Sequence, residues 1–446
     1  MTFPFTAARP VEFHAPLPAD ADVVVIGGGI AGVMTAYFLA ERGLRTVVVE
    51  KGRVAGEQSS RNWGWIRCQG RDPSELPIMV ESQRLWDGLA AQLGPELGLR
   101  RTGVLYLANT APDMAGFARW LPHAQAHGLD TRMLSRAEVA ALMPGHRADW
   151  CGGILTPSDA RAEPWVAVPM LARLAVAKGV TVIEDCAARV LDIAAGRVAG
   201  VVTERGRIAC SHVVLAGGAW SSLFLRNHGV SIPQLAVRAT VAATAPLPEL
   251  FPGNAADGRF AFRRRADGGY TLAPGDFHEF LIGPDAFRHL PKFLPQLKKD
   301  PFGNRYLPAA PRGYPDAWGT PRRWSGDDAS PFEAMRVLDP APNRGRVERI
   351  RRAFASALPA LGEVRIAAAW AGMIDTMPDV VPILDHAPIP GLTVATGLSG
   401  HGFGIGPGVG RVVADLVAGN APGHDLTRFR FGRFADGSPI EIGPTL

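Results

Sequence analysis

The sequence predicts an α/β protein: a parallel sheet packed between helices, interrupted along the chain by an α+β region with a mainly antiparallel sheet. Three observations carry this reading. Near the N-terminus a β-branched run, a helical repeat and a second β-branched run follow one another within the roughly thirty residues of a βαβ unit. From residue 233 to 365 the texture changes to short extended runs and proline-rich connections. After residue 366 strand-like runs return with a glycine loop that opens a helix, so the end of the chain closes the first unit.

In the first unit, residues 23–26 are β-branched and followed by glycines, which reads as a buried strand. From Gly29 the period changes: Val33, Ala36, Tyr37 and Ala40 fall on one helix face that Gly43 can stop. Residues 46–49 form the second strand and end on Glu50. Gly27, Gly29 and Gly32 have the G-x-G-x-x-G spacing. Gly27 allows a tight turn, Gly29 lets a pyrophosphate approach the backbone, and Gly32 lets helix and strand pack closely. The helix start at Ile30 and Ala31 then offers N–H groups and a positive dipole end to phosphates. Glu50 lies where a carboxylate accepts hydrogen bonds from ribose hydroxyls, which favours an adenosine without a 2′-phosphate. Among 51 glycines the spacing alone carries little, but strand, helix, strand and acid in register identify a Rossmann-like dinucleotide site.

The bulk properties narrow the function. A chain of 446 residues holds two or three domains, and 47% hydrophobic with 20% charged residues is ordinary for a soluble globular protein. The net charge of +5 is spread along the chain, and the basic runs at 263–265 and 344–352 are flanked by acids, so they read as solvated surface and no nucleic-acid partner is expected. Cys68, Cys151, Cys186 and Cys210 show no C-x-x-C spacing. Neither a metal site nor a redox pair is expected, and reduced thiols point to a cytoplasmic setting. No basic flank with an apolar core marks a signal peptide, and glycines break the apolar window at 21–40, so no membrane span is expected.

Residues 51–75 leave the second strand as a polar loop containing Ser59, Ser60, Asn62, Trp63, Gly64, Trp65 and Arg67, at the sheet edge where ligands sit. Residues 76–145 are mainly helical in pattern, with an extended piece at 102–107. A helix over 164–178, strands at 180–183 and 188–193, and a hairpin of 199–203 with 207–210 follow. Residues 212–216 form a strand that opens into Gly217 and Gly218, the pattern of a strand delivering backbone to a ligand. Strands are expected at 237–243 and twice within 258–274. Prolines across 284–345 predict long ordered loops and short helices. A helix at 347–358, strands at 380–384 and 391–395, and a loop at 397–406 feeding a helix at 409–418 complete the chain. The expected division is a discontinuous nucleotide-binding domain of 20–100, 160–232 and 366–425. The substrate domain comprises 101–159 and 233–365, and 1–19 and 426–446 are terminal extensions.

The fingerprint at 27–32, the strand end at 215–221, the 370–379 segment and the 397–406 loop together resemble the D-amino acid oxidase (DAO) superfamily of flavoproteins, in its glycine oxidase and sarcosine oxidase branch. The resemblance implies FAD. It implies that Gly27, Gly29, Gly32, Glu50 and Lys51 hold the ADP moiety and that Val190 contacts adenine through its backbone. Ala216, Gly217 and Trp220 would lie along the cofactor, with Ser59, Ser60 and the Asn62–Arg67 loop near the flavin ring. Gly400, His401, Gly402, Phe403, Gly404 and Ile405 would face the pyrimidine edge. Gly372 and Met373 stand where covalent members carry a cysteine, so the flavin is expected to be non-covalent.

Amine oxidation by a flavin requires a C–H bond held at N5 and a neutral amine. The protein must therefore supply orientation. Arg67 matches an arginine that holds a substrate carboxylate as a bidentate pair; Arg264 and Arg265 are further candidates. Asp375 steers a cationic amine or serves as a loop carboxylate bonded to backbone. His401 carries a proton or contacts the flavin, and Trp63, Trp65 and Trp370 wall the pocket. The expected activity is oxidation of the C–N bond of an amino acid or amine to an imine by hydride transfer to flavin N5, followed by hydrolysis. The alternative is a flavin subunit of a multi-subunit dehydrogenase, because Gly404 offers no cation to activate oxygen. Expected partners are a small amine or amino-acid substrate and either an electron-accepting partner or a second copy of the chain.

Overall fold

The strand Val23–Ile26 lies inside a six-stranded sheet with the order Ile383–His386, Leu392–Thr396, His212–Leu215, Val23–Ile26, Thr46–Val49, Thr181–Ile183. The structure, a computed structural model, describes residues 5–6, 8–275, 278–301 and 303–443. Val24, Val25, Val48, Val213 and Val214 have no exposed surface, as expected of parallel strands covered on both faces. Every pairing in this sheet is parallel except Ile383–His386 with Leu392–Thr396. The carboxyl ends Ile26, Val49, Leu215 and Thr396 therefore share one edge, where ligands bind in such sheets.

The second sheet has ten strands, built around Leu235–Thr244. Its pairings are antiparallel apart from Asn254–Ala256 with Val104–Ala108 and His278–Leu281 with Asn304–Leu307. Ile366–Thr376, which sequence placed in the nucleotide domain, pairs along its length with Leu235–Thr244 in this larger sheet. Behind the sheet, Phe354 of the helix Arg344–Ala357 meets Phe260, Phe262 and Tyr270 at ring distances of 5.4–5.7 Å. A small sheet unforeseen in the sequence pairs Ala160–Arg161 with Trp65–Ile66 and Arg100–Arg101, and so fixes the loop that carries Arg67.

Two expectations need correction. Within 284–345, expected to hold only short helices, Pro284–Lys299 is a helix of 16 residues. Pro284 sits in the first turn, where no N–H is required. Pro291 and Pro295 remove donors for the carbonyls of residues 287 and 291, and both residues are exposed, so water can satisfy those carbonyls. The last helix spans Gly402–Ala418, beginning before the expected 409. Its glycines are packing positions, not loop. A Cβ at Gly406 would lie 2.6 Å from Ile30 Cγ1, and one at Gly410 would lie 2.5 Å from the Met34 carbonyl carbon. On a neighbouring face, a Cβ at Gly408 would lie 2.6 Å from the Ile78 carbonyl oxygen of the helix Leu76–Leu93. Asp415 clamps the far end, bonded to Arg42 at 2.6 Å and to Arg411 at 2.6 Å. No helix among the described residues is long and apolar enough to cross a membrane.

Gly410→Ala forces a methyl into the Met34 backbone, and overpacking of this kind costs about 1–3 kcal/mol. A urea melt of the FAD-loaded protein should show that loss; an unchanged midpoint would contradict the close seating of the two helices.

Candidate functional site

One cavity of about 840 Å³ runs along the shared strand edge and across to the larger sheet. At its first end Gly27 has φ +112°, and a Cβ there would lie 2.5 Å from the Ala216 carbonyl oxygen. The two strand ends thus touch, and Ala216, Gly217 and Trp220 line the cavity beside Gly27, Gly29, Ile30 and Ala31. Gly32 does not line it. A Cβ there would come within 2.0 Å of the Gly27 carbonyl oxygen, so Gly32 permits the turn. The Ile30 N–H donates to Ser59 Oγ at 2.9 Å, which places Ser59 at the helix N-terminus. Glu50 accepts from the Gly28 N–H and the Gly52 N–H, each at 2.7 Å. Burial pushes its carboxyl up to about 7.

Lys51 also lines the cavity, but its ammonium is committed elsewhere. It donates to Glu57 Oε1 at 2.6 Å and to the Met335 and Arg336 carbonyls at 2.8 and 3.0 Å, and lies 4.4 Å from the Trp220 ring centre. Val190 does not reach the cavity; Ala188 on the same strand does. An irregularity in pairing between Ala188 and Val190 separates them, and Val190 lies against Gly326. Ser60, Gly64, Gly404, Ile405 and Trp370 likewise lie outside the lining. Ser60 is buried and donates to the Glu57 carbonyl at 3.2 Å. Gly64, at φ +78°, turns the chain between the two tryptophans. Gly404 packs against the 65–66 strand, where a Cβ would lie 3.1 Å from Ile66 Cα.

The other end is aromatic. Trp63 and Trp65 meet edge to face at 5.3 Å, Trp65 and Tyr106 lie 6.2 Å apart, and Tyr106 and Phe117 lie 6.4 Å apart. The half-buried Arg67 guanidinium sits 5.8 Å from the Tyr106 ring centre and donates through Nη1 to the Gln69 carbonyl. Tyr106 and Phe117 were missed in the sequence, although the extended piece at 102–107 marked the strand that carries Tyr106. Arg264 and Arg265 are not in the lining. They donate to the Leu247 carbonyl at 2.9 Å and the Thr244 carbonyl at 3.2 Å respectively.

The glycine loop closes the cavity with Gly400, His401, Gly402 and Phe403. Asp375 is buried and anchors this loop, accepting from the Gly397 N–H at 2.8 Å and from Gln234 Nε2 at 3.0 Å. Burial raises its carboxyl pKa. Gly372 lines the cavity, and a Cβ there would come within 1.8 Å of Gln58 Oε1. Asn62 lies in the lining beside Trp63 and turns the loop by accepting the Gly64 N–H at 2.8 Å.

Residues 22–416 match the family described as DAO, FAD dependent oxidoreductase. The sarcosine oxidase subunit beta of Rhizobium meliloti is 27% identical over 94% of this chain and 90% of its own. The glycine oxidase of Pseudomonas aeruginosa is 26% identical over 90% of this chain and 95% of its own. The structure of the L-amino acid deaminase from Proteus myxofaciens in complex with anthranilate matches with a TM-score of 0.90 and 31% identity, covering 96% of each chain.

The glycine turn, the helix N-terminus and Glu50 fit the ADP half of FAD. Glu50→Ala removes charge-assisted acceptors worth about 1.5–3 kcal/mol each. Retention of FAD should fall by roughly tenfold or more in a fluorescence titration; unchanged affinity would remove Glu50 from the cofactor site.

Proposed function

The chain belongs to the DAO family of FAD-dependent oxidoreductases, which act on amines and amino acids, and on that footing we propose that its substrate is an L-α-amino acid. The product is the imino acid, which water hydrolyses to the 2-oxo acid. The observation that supports this most is Arg67, a half-buried guanidinium lining the cavity beside the aromatic wall of Trp65, Tyr106 and Phe117. A guanidinium pairs both oxygens of a carboxylate, and the aromatic faces offer apolar surface to the substrate side chain. The 31% identity to an L-amino acid deaminase over nearly the whole chain supports the same class.

Bound FAD supplies the hydride acceptor. The chain's own residues do the rest. The 27–31 turn and the N-terminus of Ile30–Glu41 take the phosphates, and Glu50 takes the ribose hydroxyls. The N-terminus of Gly402–Ala418, which opens on the cavity, would offer its positive dipole end to the flavin and favour negative charge there. Asp375 holds that loop through the Gly397 N–H. Arg67 fixes the carboxylate and with it the Cα–H direction, and the aromatic wall keeps water from the reacting carbon.

The crowding at Gly372 and the absence of any cysteine from the described lining support a non-covalent flavin. Four free cysteines support a reducing, cytoplasmic setting. For the electron acceptor we favour a partner redox carrier over oxygen. Gly404 carries no cation to activate oxygen, and a Cβ there would already crowd Ile66 Cα at 3.1 Å.

Anaerobic mixing with L-phenylalanine should bleach the yellow protein. Arg67→Ala, losing two charge-assisted bonds of about 1.5 kcal/mol each, should raise the apparent Kd for the amino acid by roughly 100-fold while FAD stays bound. Bleaching by 2-phenylethylamine that equals bleaching by L-phenylalanine would contradict a carboxylate anchor. Acid precipitation should leave the yellow colour in the supernatant; colour in the pellet would show a covalent link.

A further inference from the structure

Against His401 lie two buried charged residues, Glu75 and Arg71, and both His401 and Arg71 border the cavity. Glu75 has no exposed surface and immediately precedes the helix Leu76–Leu93. Its Oε2 lies 3.2 Å from His401 Nδ1 and 3.2 Å from Arg71 Nη1. Its Oε1 is buried with no hydrogen-bond partner among the described residues. Arg71, 1% exposed, donates through Nε to the Arg67 carbonyl at 2.7 Å and through Nη2 to the His401 carbonyl at 3.0 Å. One buried ion pair therefore ties the loop carrying the substrate-facing arginine to the loop facing the flavin. Buried pairs are a poor source of stability, because desolvation offsets the attraction. The consequence of this pair is better sought in the imidazole it touches.

We propose that Glu75 is a positioning residue that accepts the Nδ1–H of His401 and so leaves Nε2 as the proton acceptor for the substrate ammonium. A partner on one ring nitrogen fixes the tautomer of the other. The N–H bond of the substrate ammonium breaks, the Nε2–H bond forms, and the positive charge moves from the amine to the imidazole, which later returns the proton to water. The substrate is left as the neutral amine that oxidation requires. This inference rests on the amino-acid reading above for the identity of the proton donor.

The charged groups facing His401 are Glu75, Arg71 and Arg67. Burial and the two arginines lower the imidazole pKa and Glu75 raises it, with a net lowering. The ring is thus neutral and able to accept at neutral pH. Loss of the Glu75 charge should lower the pKa further, by roughly one unit or more for an opposite charge at this distance.

The test uses the FAD-loaded enzyme and two readouts. The first is a histidine NMR titration of the oxidised, substrate-free protein, with the His401 signal assigned by its loss in His401→Gln. The second is the pH dependence of flavin reduction by L-phenylalanine under anaerobic stopped flow. Glu75→Gln should move both the His401 titration and the acid limb of reduction to lower pH by roughly one unit, with the apparent Kd changed less than about threefold. His401→Gln should replace that limb by one at the higher pH where the substrate ammonium gives its proton directly to water. Glu75→Asp, which retains the charge, should shift both in the same direction by less and serves if the glutamine variant does not fold. A His401 titration unmoved in Glu75→Gln and in Glu75→Asp would overturn the proposal, as would a limb that stays at the wild-type pH in His401→Gln. Failure of every amino acid to reduce the flavin would defeat the substrate reading, while the NMR titration would still decide the coupling of Glu75 to His401.

Discussion

The site depends on the seating of the helix Gly402–Ala418 against Ile30–Glu41. The two come from opposite ends of the chain, and they approach closely because Gly406 and Gly410 present no side chain to Ile30 and Met34. The Arg42–Asp415 pair closes the far end of the contact. With the helices held this way, both N-termini open on one cavity. One faces the turn at Gly27, and the other carries His401 and Phe403. A ligand with anionic phosphates at one end and an electron-accepting ring at the other is what two such dipole ends favour.

Burial of charge shapes the rest of the cavity. Asp375 and Glu75 are buried and Glu50 is half-buried at the cavity wall, and each carboxylate is held by specific donors: the Gly397 N–H with Gln234, Arg71 with His401, and the Gly28 and Gly52 N–H groups respectively. Buried charges persist only when so engaged. Lys51 shows the converse, a cation at the cavity wall neutralised by Glu57 and two carbonyls. The guanidinium of Arg67 stands apart. Among the described residues only its Nη1 is donated, to the Gln69 carbonyl, while the guanidinium lies beside the Tyr106 ring at the cavity wall, where a carboxylate would meet little competition from water.

Local signals were legible in the sequence and distant ones were not. The strand, turn and helix at 23–41 could be read because the change of period and the glycine spacing lie within one supersecondary unit. The start of the last helix was misplaced because Gly402 to Gly408 look like loop until the surface they pack against is known. Ala188 borders the cavity where the resemblance pointed to Val190, and the pairing irregularity between the two is recorded by no residue pattern. Tyr106, Phe117, Arg71 and Glu75 were silent for the same reason. Their roles arise from contacts between segments far apart in sequence, such as Glu75 with His401. The helix Pro284–Lys299 shows that proline content misleads where the carbonyls it orphans face water.

The most direct measurement is a crystal structure of the protein grown with FAD and an aromatic carboxylate. It should place the pyrophosphate against the Gly29–Ala31 backbone and the isoalloxazine ring between the Gly400–Phe403 loop and Trp65, with the carboxylate on Arg67. A flavin lying elsewhere, or a carboxylate held away from Arg67, would contradict the account.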